Sequence, residues 1–178
     1  MQTSSPARCS VLAAGAVAVM AALSPQPSHA FRVTAQAVAV CQGALPSFEG
    51  AIRKRPLAVQ NEGSSNAFVT CALNNPGYNT WTTFISSVLI YAQNLNSSSR
   101  PITCTAVNSS ATASPDDPLY AIRTVQVSPS DTNSTLIEFA ADDFPGSPAA
   151  LPGDTVSVSC TLVPGMGITG TVLVNNAS

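Results

Sequence analysis

Apolar and polar residues alternate most cleanly over Asp154 to Gly165, D-T-V-S-V-S-C-T-L-V-P-G. Val156, Val158, Cys160 and Leu162 fall on one side of an extended chain there, and Thr155, Ser157, Ser159 and Thr161 on the other. Side chains alternate across a strand with period two, so the pattern predicts a half-buried strand whose cysteine faces inward. Two more stretches repeat it. Val69, Cys71 and Leu73 alternate with Thr70 and Ala72, and Ile102, Cys104 and Ala106 alternate with Thr103 and Thr105. Strand character recurs at Val33–Cys41, Pro56–Gln60, Thr82–Leu95, Ala121–Val127, Thr135–Ala141 and Ile168–Val174, close to the spacing of an all-β domain.

Turn chemistry separates these runs. Asn61-Glu62-Gly63, Asn74-Asn75-Pro76-Gly77, Ser114-Pro115-Asp116-Asp117-Pro118 and Phe144-Pro145-Gly146 combine a fixed φ at Pro with tolerance of positive φ at Gly, Asn and Asp. Val88 to Tyr91 breaks the alternation, which predicts a central strand covered on both faces, whereas Ile168–Val174 reads as a closing edge strand. Helical periodicity is not sustained over three turns anywhere after the first 30 residues. The predicted fold is an all-β antiparallel sandwich, Greek-key or jelly-roll in kind, of about eight or nine strands.

The N-terminus modifies this picture. Residues 1–30 read as a cleavable signal peptide: Arg8 in a short positive region, an apolar Cys9–Leu23 stretch, then Ser28-His29-Ala30 before the cut. Residues 31–178 then form one β-sandwich domain, secreted or periplasmic, with no stable membrane insertion after leader cleavage, because no later apolar run approaches the ~20 residues of a span. Four cysteines remain, an even number that in an exported chain reads as two disulfides. Three connectivities are open. Matching inward faces favour Cys41–Cys71 with Cys104–Cys160.

The segments F-V-T-C-A-L (Phe68–Leu73), I-T-C-T-A (Ile102–Ala106) and V-S-V-S-C-T-L-V-P-G (Val156–Gly165) resemble small exported bacterial two-disulfide β-sandwich proteins of unknown function. That resemblance implies a fold and no activity. An immunoglobulin pattern is not met, since Val158 stands where a Tyr would precede the second cysteine.

Composition excludes more chemistry than it offers. The only histidine, His29, lies in the leader, so a Ser-His-Asp or Cys-His mechanism lacks its general base and a His-based zinc site its ligands. No cofactor is implied, and the chain reads as non-enzymatic. Few basic residues, against nine acids, argue against nucleic acid. Carboxylates could work as a hydrolytic pair, and Asp142-Asp143 with Asp154 could hold calcium, yet these acids fall in turns where they are ordinarily solvated. Arg53-Lys54-Arg55 reads as a solvated loop leading into a strand. Asn96, Asn108, Asn133 and Asn176 open glycosylation sequons. The best binding candidate is the aromatic loop of Tyr78, Asn79 and Trp81, whose rings and amides suit a sugar. The leading expectation is an exported structural or interaction protein with an unknown protein or glycan partner. The alternatives are a lectin-like carbohydrate-binding module using that loop and, third, a carboxylate-dependent hydrolase.

Overall fold

The computed structural model describes residues 31–75, 83–109, 118–146, 150–151 and 155–177. The leader and the Tyr78–Asn79–Trp81 loop lie outside them. Eleven strands are present among the described residues: β1 (Phe31–Gln36), β2 (Cys41–Gly43), β3 (Ile52–Arg55), β4 (Ala58–Asn61), β5 (Ala67–Asn74), β6 (Thr83–Asn94), β7 (Arg100–Ser109), β8 (Leu119–Val127), β9 (Ser130–Ala140), β10 (Thr155–Leu162) and β11 (Met166–Ala177). Two one-turn helices, α1 (Ala37–Val40) and α2 (Pro46–Glu49), sit near the start.

All pairings are antiparallel. One sheet runs β3-β4-β11-β6-β9, with β1 also on β11, and the other runs β2-β5-β10-β7-β8. Apart from the β7–β8 hairpin, the chain changes sheet at every step from β5 to β11. This is the winding of a jelly-roll sandwich. The alternating residues of β5, β7 and β10 all reach the interior: Val69, Cys71, Ile102, Cys104, Val156, Val158, Cys160 and Leu162 are buried. Ile85, Val88, Ile90, Ile137, Phe139, Ile168 and Leu173 face them from the other sheet. Two layers of apolar side chains thus close on each other, which is the main driving force for the fold.

Three expectations are corrected by the structure. Val33–Cys41 is not one strand: α1 interrupts it, so β1 joins the six-stranded sheet and β2 the other. The A-V-A-V run carries no Gly or Pro to announce the break, and Ala37 is small enough to bury completely as the chain crosses. Arg53-Lys54-Arg55 is strand β3 itself, hairpinned to β4 around Pro56-Leu57. Finally, β11 is central, with β6 on one side and β4 and β1 on the other. Val172 and Leu173 are adjacent in sequence and both buried, on opposite faces of the strand.

The disulfides join Cys41 to Cys71 and Cys104 to Cys160. Each links directly opposed residues of neighbouring strands, β2 with β5 and β7 with β10. Both therefore lie within the five-stranded sheet, and neither bridges the two sheets. Side-chain amides make that bridge at one end of the sandwich. Asn61 Nδ2, on β4, donates to Leu162 O on β10 at 2.8 Å and to Ser65 O at 2.9 Å, while its Oδ1 accepts the Gly63 N–H. Asn94, on β6, repeats the arrangement: Nδ2 donates to Val127 O on β8 at 2.8 Å and to Ser98 O at 2.9 Å, and Oδ1 accepts the Asn96 N–H. Both asparagines are fully buried.

Candidate functional site

The outer face of the six-stranded sheet carries the site. Strand registers set side chains there in rows that cross the strands. One row runs Gln36, Gly170, Tyr91, Leu136, from β1 through β11 and β6 to β9. At neighbouring strands ~4.8 Å apart it spans about 14 Å. Beside it lies a concavity of about 300 Å³ lined by Gln36, Leu57, Gln93, Thr132, Ser134 and Thr169. Thr169 is set there by a register shift of β11 against β6 between Ile168 and Gly170. Such an irregularity re-aims a side chain locally.

Hydrogen bonding fixes how these groups present themselves. Thr169 Oγ1 donates to Tyr91 O at 3.2 Å and lies 2.9 Å from Ser134 Oγ. A hydroxyl has one proton. With that proton on the Tyr91 carbonyl, Thr169 accepts from Ser134, and Ser134 keeps its lone pairs for a ligand donor. Gln36 and Gln93 bring carboxamides, a group that holds both donor and acceptor. Leu57 is 79% exposed and adds an apolar wall from the β3–β4 turn. Half-buried Tyr91 and the exposed Leu136 supply further apolar surface one row away. None of the lining residues ionises. Glu138, Arg32 and Arg53 stand on the same face but do not line the concavity.

The residues singled out from sequence fare differently. Tyr78, Asn79 and Trp81 lie outside the described residues, as does Asp154. Two candidate acids are held in ion pairs away from the concavity. Arg55 donates from Nε and Nη2 to the two carboxylate oxygens of Glu62 at 2.6 and 2.7 Å, and this bonding holds the Glu62 carboxyl below its ordinary range. Asp143 accepts from Arg123 and from the Ala140 N–H. Its carboxyl is likewise lowered, chiefly by the Arg123 hydrogen bond. Of the sequon asparagines, Asn96 donates to the Pro164 carbonyl and the Asn94 side-chain oxygen and Asn108 to the Thr155 carbonyl, whereas Asn133 and Asn176 are exposed. Sequence reasoning missed Gln36, Gln93, Ser134 and Thr169, because they come from four strands and share no local motif. The outward alternation of Tyr91 and Gln93 within β6 was the one usable signal.

No protein-family model and no curated protein matches the chain. Among solved structures it is similar to a family 11 carbohydrate-binding module from Clostridium thermocellum in complex with a β-1,3-1,4-mixed-linked tetrasaccharide (10% identity over 85% of this chain and 87% of that one, TM-score 0.36). It is also similar to TmCBM61 in complex with β-1,4-galactotriose (7% identity, 80% and 83% covered, TM-score 0.33). A third is reduced XRCC1 bound to the DNA polymerase β catalytic domain (16% identity, 78% and 93% covered, TM-score 0.38). Superpositions this loose assign the chain to no family.

Proposed function

We propose that this protein is a carbohydrate-binding β-sandwich that takes a neutral glycan on the outer face of its six-stranded sheet and acts by binding alone. The observation that carries the reading is the composition of the concavity: two carboxamides, three hydroxyls and one leucine, with no charged group. A sugar presents hydroxyls around its edge and C–H groups on its faces, so it needs neutral donors and acceptors beside an apolar surface. An acidic glycan would bring carboxylates that meet no cation among the lining residues and would be desolvated at a cost. The volume lies at the small end of ligand sites, which suits a short segment of a chain and not a large solute.

The broader reading, a non-enzymatic interaction protein, contains this one and is narrowed by it. Two disulfides fit an oxidising compartment, so the partner is an extracellular or periplasmic glycan. Calorimetric titration against a panel of neutral and acidic oligosaccharides tests the proposal. Binding should appear with neutral members, and the Gln36→Ala/Ser134→Ala double variant should weaken it by about tenfold or more at unchanged Tm. Absence of binding across the neutral panel, or binding unaffected by the double variant, sinks it.

A further inference from the structure

Gly170 closes the register shift of β11 against β6, yet neither its φ nor the space around it demands a glycine. It lies in the middle of the central strand β11, where glycine costs conformational entropy and packs nothing. Its backbone does not need positive φ, which among the described glycines belongs to Gly146 and Gly165. A methyl group there would meet Ala35 O at 3.6 Å and Tyr91 Cδ2 at 3.9 Å, both ordinary van der Waals contacts. Three residues away the situation is opposite. A Cβ on Gly167 would fall 3.1 Å from Val59 O, so that glycine serves the pairing of β11 with β4. Glycine inside a strand marks a bulge or a place where something else approaches closely. Gly170 sits at the bulge without positive φ or crowding, so a side chain could be carried there and is not.

What Gly170 leaves open is the side of the Tyr91 ring. Its neighbours across the strands are Gln36 on one side and Tyr91 on the other, with the exposed Leu136 beyond. We propose that the Gly170 gap and Tyr91 form a stacking subsite for one pyranose unit of a neutral glycan, contiguous with the concavity. This rests on the glycan reading above. The ring offers an apolar face for the sugar's C–H groups, while Gln36, shared by the row and the concavity, meets its hydroxyls. The bound chain then lies across the strands, with its hydroxyl edge toward Gln93, Thr169 and Ser134. Gly170 is the specificity-determining position, because any larger side chain there covers the ring.

Gly170→Val and Gly170→Ala test this against the neutral oligosaccharide that the wild-type protein binds, with Tm measured in parallel. Valine favours a strand over glycine, so Tm should stay the same or rise while affinity falls by roughly tenfold or more. A purely structural glycine would give the reverse, a lower Tm. Tyr91→Leu, which keeps an apolar side chain without the ring, should show a comparable loss of affinity. If Gly170→Val retains wild-type affinity, or if Gly170→Ala lowers Tm, the subsite is wrong while glycan binding stands. A wild-type protein that binds no neutral oligosaccharide removes the subsite together with the reading beneath it.

Discussion

Removing the Asn94 amide should cost this sandwich a large share of its stability, and the structure gives the size. Asn94 is fully buried and satisfies three backbone groups: it donates to Val127 O and Ser98 O and accepts from Asn96 N–H. Asn94→Ala leaves Val127 O, the most enclosed of the three, without a donor at a cost of ~1–3 kcal/mol. The other two are nearer solvent and should add roughly 0.5–1 kcal/mol each where water replaces the amide. About 3 kcal/mol in total is a substantial fraction of a net stability of ~5–15 kcal/mol. Urea unfolding with both disulfides intact measures it, as a shift in midpoint at constant m-value. Asn94→Asp is the sharper test. A carboxylate would point at two carbonyl oxygens that now receive protons, so its folded pKa must rise above the unfolded value. The carboxyl is then tolerated at pH below the unfolded pKa, where it is protonated and can still donate to Val127 O. The deficit should grow as pH climbs through the folded pKa. An Asn94→Ala midpoint within ~0.5 kcal/mol of wild type, or an Asp variant with no pH dependence relative to wild type, would refute the reasoning.

Asn61→Ala should behave alike, and the double variant should depart from additivity, because both asparagines lean on the β10–β11 turn. Asn61 Nδ2 donates to Leu162 O, where β10 enters that turn, and Asn96, held by Asn94, donates to Pro164 O. Removing the Cys41–Cys71 pair as a double alanine should cost about 3.5 kcal/mol and the Cys104–Cys160 pair about 4 kcal/mol, from the lengths of the loops they close; denaturation midpoints read both, and losses under ~1 kcal/mol would contradict the loop-entropy account. Asp143 has its folded pKa depressed by Arg123, so its contribution is present above the unfolded carboxylate value and lost as pH falls through the folded one. Asp143→Asn should therefore destabilise slightly at neutral pH and not at all in acid; the acid-unfolding profile decides, and equal loss at both ends would reject the ion pair as its cause.

How much of this was readable beforehand depends on how local each feature is. Val156 to Leu162 betrays its strand through period-two alternation, a property of a few neighbouring residues. The central place of β11 does not show that way, since Gly167, Thr169 and Gly170 dilute its apolar pattern while Val172 and Leu173 carry the burial. Asn61-Glu62-Gly63 looks like a turn, and is one. That Asn61 also reaches a carbonyl 101 residues away is a fact of sheet packing that no window of sequence contains. The concavity is of the same kind: Gln36, Gln93, Ser134 and Thr169 become neighbours only through register. The aromatic loop of Tyr78 and Trp81 is a compositional signal, two rare residues close together, and it lies outside the described residues.

The cysteine pairs have an effect beyond the leaf that contains them. The segment closed by Cys41–Cys71 carries β3 and β4, and the one closed by Cys104–Cys160 carries β8 and β9. Those segments supply β3 and β4 on one flank of the opposite leaf and its other outermost strand, β9, while β1, β6 and β11 belong to neither. Each sulfur bridge is thus a leash on a border of the six-stranded leaf, anchored from behind. Fraying, which begins at the margins of a sheet, is restrained there without any covalent bond occupying the surface that has to remain open.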